Sequence, residues 1–313
     1  MRIFVAGATG YVGSAIVGDL LRAGHEVVGL ARSDASAATL TGAGVEVHRG
    51  DLADPDSLRA GAAGADGVVF AANQHISETT DTAARARVEL DAVEAIGSEL
   101  EKTDKPFVVT SGVIGRTPGR LLTEETLAVP GAVTALRLPV EVSVLAMGER
   151  GVRSSSVRLA PTVHGRGDAR GFISMLIGIA RAKGVSAFVG DGSNRWPAVH
   201  RRDAATLFRL AVESAPPGTA VHAVAEEGVR FRDIAAAIGR RLELPAVSLT
   251  ADQASGHFGL LAPLVALDSP TSSALTRERL GWLPTRPALI ADIEQGHYFR
   301  DAYLEDAYLE DTV

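Results

Sequence analysis

The sequence predicts an α/β fold: a doubly wound parallel sheet with a smaller C-terminal lobe. Three observations lead there. Short β-branched strands alternate with amphipathic helical segments through the first 160 residues. A strand, a glycine-rich loop and a helix open the chain. After Pro161 the alternation loosens, and proline and glycine become frequent.

Arg2–Ala6 reads as a buried strand, and Ser14–Arg22 as a helix with Ala15, Ile16, Leu20 and Ala23 on one side. Glu26–Leu30, Val45–His48 and Gly67–Ala71 are the next strands. Ala84–Glu101 reads as helical because Val88, Val93, Ile96 and Leu100 recur at helical spacing. Phe107–Thr110 is a fifth strand, Leu138–Arg150 a helix and Ser154–Leu159 a sixth strand. Strands that alternate with helices pair in parallel through right-handed crossovers. Farther on, Phe172–Lys183, Asp203–Glu213 and Phe231–Leu242 read as helices and Thr219–Ala225 as a strand. The expected organisation is a core over 1–160, a lobe over 161–300 with segments returning to the core, and an acidic tail over 301–313. The tail repeats DAYLE twice and is expected to be solvated or helical. The uncharged run Gln253–Leu267 is expected to be buried or to line a pocket.

Composition narrows the function classes. There are 31 Lys+Arg against 38 Asp+Glu, and five of those acids fall in the tail. The body is therefore nearly balanced and has no basic surface for nucleic acid. Cysteine is absent, which excludes disulfides, zinc-thiolate sites, iron–sulfur clusters and a thiol nucleophile and fits a cytoplasmic location. No His/Asp/Glu cluster has metal-ligand spacing. The uncharged stretch from Ile3 to Gly18 is not read as a leader peptide, because its glycines recur at spacing three. No uninterrupted apolar run reaches the ~18 residues of a membrane span.

Gly7-Ala8-Thr9-Gly10-Tyr11-Val12-Gly13 follows the first strand and opens the first helix, with glycines at 7, 10 and 13. Glycine permits the tight turn, a close backbone approach to a pyrophosphate and close packing of helix on strand. The helix N-terminus offers free N–H groups and a positive dipole end to the phosphates. Thr9, Tyr11 and Val12 complete the candidate cradle.

With this loop the chain resembles the short-chain dehydrogenase/reductase superfamily, in its extended or atypical, epimerase/dehydratase-like branch. The resemblance rests on GATGYVGS at 7–14, GDLADPDSL at 50–58, VVFAAN at 68–73 and FVVTSG at 107–112. It continues through VRLAPTVHGRGD at 157–168 and RWPAVHRRDAA at 195–205, and so spans nearly the whole chain. It implies a Rossmann-type fold and an NAD(P) cofactor. It further implies that Asp51 and Leu52 flank the adenine, that Ala71 and Ala72 lie beside a cofactor ribose, and that the Pro161-Thr162-Val163 turn lies beside the nicotinamide. The helices at 84–101 and 138–150 correspond to those the family often pairs across a homodimer.

The second strand runs into Leu30-Ala31-Arg32-Ser33. Folds that select NAD usually place a carboxylate near here for the ribose 2′-hydroxyl. Arg32 instead offers a planar fork for a 2′-phosphate and Ser33 a further donor. NADP(H) is therefore the expected cofactor, with NAD as second choice through Asp34.

The superfamily's usual chemistry uses a serine, a tyrosine and a lysine one helical turn after the tyrosine. The four tyrosines are Tyr11, Tyr298, Tyr303 and Tyr308, and the lysines are Lys102, Lys105 and Lys183, so no Y-x-x-x-K exists. Counting back from the Arg150-Gly151-Val152 turn, Glu141 matches a family glutamate, which puts Arg137 at the lysine position and Val133 at the tyrosine position. Pro139 suits the opening turn of a helix, so Arg137 is expected just before it. Gly112 matches the serine, with Ser111 and Thr110 adjacent. Arg137 can hold ribose hydroxyls, but a guanidinium is a poor proton donor. His164 and His200 are the candidate acids, since imidazole titrates near neutrality. Arg166 and Asn194 are candidates for the substrate cleft.

The expected activity is NADP(H)-dependent reduction of a carbonyl, or a related unsaturated bond, of a small-molecule substrate by an atypical site. The alternative is a non-catalytic dinucleotide-binding redox sensor or regulator. An epimerase, dehydratase or lyase is a weaker third reading, because those enzymes normally need the missing tyrosine.

Overall fold

The computed structural model describes residues 1–72, 81–114, 117, 119–126 and 137–300. Val133, Asn73 and the tail with Tyr303 and Tyr308 lie outside the described residues. The chain runs β1 (Arg2–Ala6), α1 (Tyr11–Arg22), β2 (Glu26–Ala31), α2 (Asp34–Gly42), β3 (Glu46–Arg49) and α3 (Pro55–Ala63). It continues through β4 (Gly67–Phe70), α4 (Thr82–Leu100), β5 (Pro106–Gly112), α5 (Leu138–Ala146) and β6 (Arg153–Leu159). Then follow β7 (Thr162–His164), α6 (Phe172–Lys183), β8 (Ser186–Val189), β9 (Arg195–His200), α7 (Arg201–Ser214) and β10 (Thr219–Ala223). The last part holds β11 (Glu226–Arg230), α8 (Phe231–Leu242), β12 (Ala246–Leu249), α9 (Ala251–Phe258), α10 (Ala262–Val265), α11 (Ala274–Leu280) and α12 (Leu289–Glu294).

Seven strands form one sheet in the order β10-β6-β5-β4-β1-β2-β3, and every pair is parallel. The strands alternate their side chains between two buried faces. Ile3 and Val5 pack with Ile16 and Leu20 of α1 and with Leu207 and Phe208 of α7. Phe4 and Ala6 pack with Leu58 of α3, Val93 and Ile96 of α4, and Val140 and Val144 of α5. This is the doubly wound Rossmann-type sheet that the alternating pattern predicts. A separate apolar cluster, with Ile173, Trp196, Phe231, Ile234 and Phe258, organises the rest of the C-terminal part around β8 and β12 and around β7, β9 and β11.

Several elements differ from the sequence reading. Ser33 caps α2 through the Ser36 amide, and Asp54 caps α3 by accepting from the Asp56 and Ser57 amides. α2 buries Leu40 alone and α3 only Leu58 and the small Gly61 and Ala62, so the apolar periodicity of the sequence marks neither helix. The helix expected over Leu138–Arg150 ends at Ala146 and tightens into a 3-10 turn at Met147–Arg150. The run Gln253–Leu267 meets its expectation in part: Ala254, Phe258, Leu261 and Val265 are buried, and His257 and Phe258 line a small cavity with Phe231 and Ile238, whereas Leu260 is 89% exposed. No helix of the described residues is long and apolar enough to cross a membrane.

Candidate nucleotide-binding and active site

The order of the sheet reverses between β1 and β4, and their connections leave on opposite faces, which opens a crevice outside the carboxyl ends of the strands. The glycine loop sits at that crevice. Gly7 has φ +85°, and a Cβ there would meet the Ala72 nitrogen at 2.6 Å. A Cβ on Gly13 would fall 1.9 Å from the Gly7 carbonyl oxygen. Gly10 is the N-cap of α1 and supplies no side-chain cap, so the amides of the first turn keep their donors for a ligand. Tyr11 reaches the loop after β7: its hydroxyl donates to the Gly165 carbonyl at 3.1 Å, and the Arg201 guanidinium lies 4.6 Å over the ring. Arg201 also donates to Ser14 Oγ at 2.9 Å and to the Arg166 carbonyl at 2.8 Å. Thus the cradle is fastened to the loop after β7.

Arg32, at the end of β2, keeps 69% of its side chain exposed and stands 3.9 Å from Asp51. Asp51 itself accepts from the Ala53 amide at 2.9 Å, and Leu52 packs on the α3–α4 side of the core. Ser33 spends its hydroxyl on capping α2, and the Asp34 carboxylate is paired with Arg49.

Arg137 is the N-cap of α5, just before Pro139, as the proline implies. Its Nη2 donates to Glu89 Oε1 at 2.5 Å and to the Thr110 carbonyl at 3.2 Å. Glu89, on α4, is 7% exposed and was not singled out in the sequence. Ser111 is buried at the end of β5, while Thr110 and Gly112 point to the opposite pleat. The Thr110 hydroxyl, Arg137 Nε, and Nε and Nη1 of Arg85 are buried without a hydrogen-bond partner among the described residues. Behind this floor, Glu141 accepts from Arg158 Nε at 2.5 Å and from Ser156 at 3.1 Å. Arg158 also donates to the Glu124 carbonyl at 3.1 Å and to His222 Nε2 at 3.2 Å. His222 therefore carries its proton on Nδ1, which donates to the Ser272 carbonyl.

The two candidate acids have structural partners. His164 is 1% exposed, and its Nδ1 lies 2.9 Å from Asp292 Oδ2 on α12. Its ring packs edge-on against His200 at 5.5 Å. His200 accepts the Arg202 amide on Nδ1 at the start of α7. Burial, with His164 beside it, pushes His200 down to about 4. Val163 lies on the same short strand as His164, and the Thr162 hydroxyl donates to the Pro197 carbonyl. Arg166 is exposed, and Asn194 donates to the Val265 and Leu267 carbonyls at 2.9 and 3.1 Å, which ties it to the end of α10 and the residues just beyond.

Tyr298 and Asp168 join this junction without any local sequence signal. Tyr298 accepts the Gly165 amide at 3.0 Å, and burial pushes its phenol well above the ordinary value. Asp168 accepts the Gly171 amide at 2.5 Å, yet burial pushes its carboxyl up to about 6. A raised carboxyl holds its proton more tightly in the fold than in the unfolded chain. Its contribution is therefore greatest below about pH 4 and is lost as the pH rises through about 6. Asp168→Asn removes that loss, so denaturant unfolding at pH 7.5 is expected to show the variant more stable by up to about 3 kcal/mol. At pH 4 the gain should vanish; a pH-independent difference would contradict the assignment.

The comparisons with known proteins fit this geometry. A family model described as "NAD dependent epimerase/dehydratase family" matches residues 3–223. The chain belongs to that family. Among curated relatives, an uncharacterized protein of Schizosaccharomyces pombe, C2A9.02, is 46% identical over 96% of this chain and 100% of its own length. The 2-alkyl-3-oxoalkanoate reductase of Stenotrophomonas maltophilia is 31% identical over 70% of this chain and 68% of its own length. Among solved structures, a dTDP-glucose 4,6-dehydratase double mutant (DesIV) from Streptomyces venezuelae with bound NAD superposes with a TM-score of 0.78. That likeness, at 17% identity, covers 98% of this chain and 100% of that one and speaks for the fold.

Proposed function

We propose that this epimerase/dehydratase-family chain binds NADP(H) and reduces a carbonyl, or a related unsaturated bond, of a small molecule in the cytoplasm. The supporting observation is the uncapped start of α1 above the Gly7–Gly13 cradle, where a Cβ on either glycine would strike backbone. The dinucleotide that such a cradle fits supplies a hydride when bound. The relative named as a 2-alkyl-3-oxoalkanoate reductase supports carbonyl chemistry.

The residues have separate tasks in this reading. Gly7, Thr9, Gly10, Tyr11, Val12 and Gly13 hold the pyrophosphate, while Ala71, Ala72, Pro161 and Val163 border the ribose and nicotinamide. Arg137, held by Glu89 and the Thr110 carbonyl, positions the ribose hydroxyls, and Ser111 closes the floor. Reduction also needs one proton at the substrate oxygen. A guanidinium does not release one, and Nδ1 of His164 is turned to Asp292 while Nδ1 of His200 accepts the Arg202 amide; in this reading both histidines serve structure and water delivers the proton. His164→Asn and His200→Asn should then keep turnover within a few-fold.

Preference for NADP(H) follows from Arg32, exposed at the end of β2, while Asp34 is turned to Arg49. Titration calorimetry should give NADPH about tenfold tighter binding than NADH, and Arg32→Ala should erase the difference. Equal or tighter NADH binding by the wild type overturns the preference. The missing Y-x-x-x-K favours a second reading, a redox sensor without turnover. Tight NADPH binding with no consumption across aldehydes, ketones, imines and enones would select it.

A further inference from the structure

We propose that Arg85, in the first turns of α4, forms the receptor for a carboxylate on the substrate, outside the carboxyl ends of β4 and β5. The proposal rests on the reductase reading and names the substrate class of that site. Its starting point is the inward stripe of α4. Leu100, Ile96, Val93 and Ala92 are buried against the sheet. Followed back toward the helix start, the same stripe reaches Glu89 and then Arg85, at the four-residue spacing that stacks side chains on one face.

The helix begins after β4, so its first turns overhang the carboxyl edge of the sheet, where ligands of doubly wound folds bind. A stripe that is apolar beneath the strands turns charged where it passes their ends. Glu89 is already committed, since it accepts from Arg137 at 2.5 Å. Arg85 has no ion pair among the described residues, although its Nε and Nη1 are buried. Arg137 Nε is buried in the same condition.

Glu89 is taken by Arg137, so Arg85 is left as a guanidinium without a carboxylate partner among the described residues. Buried guanidinium donors without acceptors are costly, and their fork geometry matches a carboxylate. The positive end of α4 adds to the attraction. The neighbour Arg87 marks the contrast: it lies on the solvent side and is paired with Asp91 at 3.0 Å. A monoanionic carboxylate would give Arg85 that partner and place the rest of a small oxo acid over the floor at Ser111.

The test uses the full chain loaded with NADP and a panel of stable 2-oxo and 4-oxo acids of three to eight carbons, each beside its methyl ester. Binding is read by ligand-observed NMR, and NADPH consumption is followed in parallel. At least one acid should bind about tenfold to hundredfold more tightly than its ester, the range of a charge-assisted hydrogen bond. Arg85→Met should remove that preference, Arg85→Lys should restore part of it, and Arg87→Met should leave it intact. Calorimetry should show unchanged NADPH affinity in all three variants. Acids and esters that bind alike to the wild type, or a preference that survives Arg85→Met, would overturn the carboxylate receptor and leave the reductase reading standing. Failure of the wild type to bind NADPH would overturn that reading itself.

Discussion

Gly13→Ala is expected to abolish measurable nucleotide binding. The added methyl would sit 1.9 Å from the Gly7 carbonyl oxygen, and backbone cannot swing aside as a side chain can. Relief requires α1 to slide off β1, which pulls the amides of its first turn away from the phosphates. Overpacking of this kind also costs about 1–3 kcal/mol of stability. Calorimetry with NADPH and a thermal melt should therefore show lost affinity beside a lowered Tm. Gly18→Ala is the internal control. It lies on the same helix, where the nearest atom, 3.2 Å away, belongs to the movable Arg22 side chain. That change should leave binding intact and raise stability by up to about 1 kcal/mol, the helix-propensity difference between the two residues. Retention of wild-type affinity in Gly13→Ala would remove the basis for placing a dinucleotide here.

Glu141→Ala should be the most destabilising single change at the site. Glu141 and Arg158 are both buried and joined at 2.5 Å, between α5 and β6. Truncating the carboxylate strands a guanidinium charge inside the core, which costs about 3–5 kcal/mol. For a chain of this size that corresponds to a fall in Tm of roughly 5–8 °C. Replacing both partners, with Glu141→Leu and Arg158→Met together, should recover much of the loss, because no unpaired charge remains. If the single variant melts within about 2 °C of wild type, the pair is not the anchor of α5 that the geometry makes it.

Much of this architecture could be read from the sequence because it depends on periodicity and on local stereochemistry. The strands from Arg2, Glu26 and Pro106 onward are apolar and β-branched, and Val93, Ile96 and Leu100 mark α4 at helical spacing. Pro139 placed Arg137 ahead of α5, and the structure makes it the N-cap. What escaped has a common cause: partners far apart in the chain. Asp292 meets His164 across 128 residues, and Tyr298 meets Gly165 across 133. No local pattern announces such pairs, so His164 looked like an available acid when it is in fact an occupied one. Glu89 and Arg85 escaped for a different reason. Charged residues in a helix ordinarily mark its wet face, and these two fall on the dry stripe. Extending the apolar register of α4 by two turns was the signal that could have found them. The short α2 has Leu40 as its one buried residue and offered no stripe to detect.

The position of β10 has a consequence for biosynthesis. Its partner β6 ends at Leu159, but β10 itself begins at Thr219, after the intervening chain has built β7, α6, β8, β9 and α7. A nascent chain emerging from the ribosome therefore exposes the bare backbone edge of β6 until Ala223 has cleared the exit tunnel. Unpaired parallel edges invite pairing with other chains, so slow translation between those two strands is when aggregation threatens most.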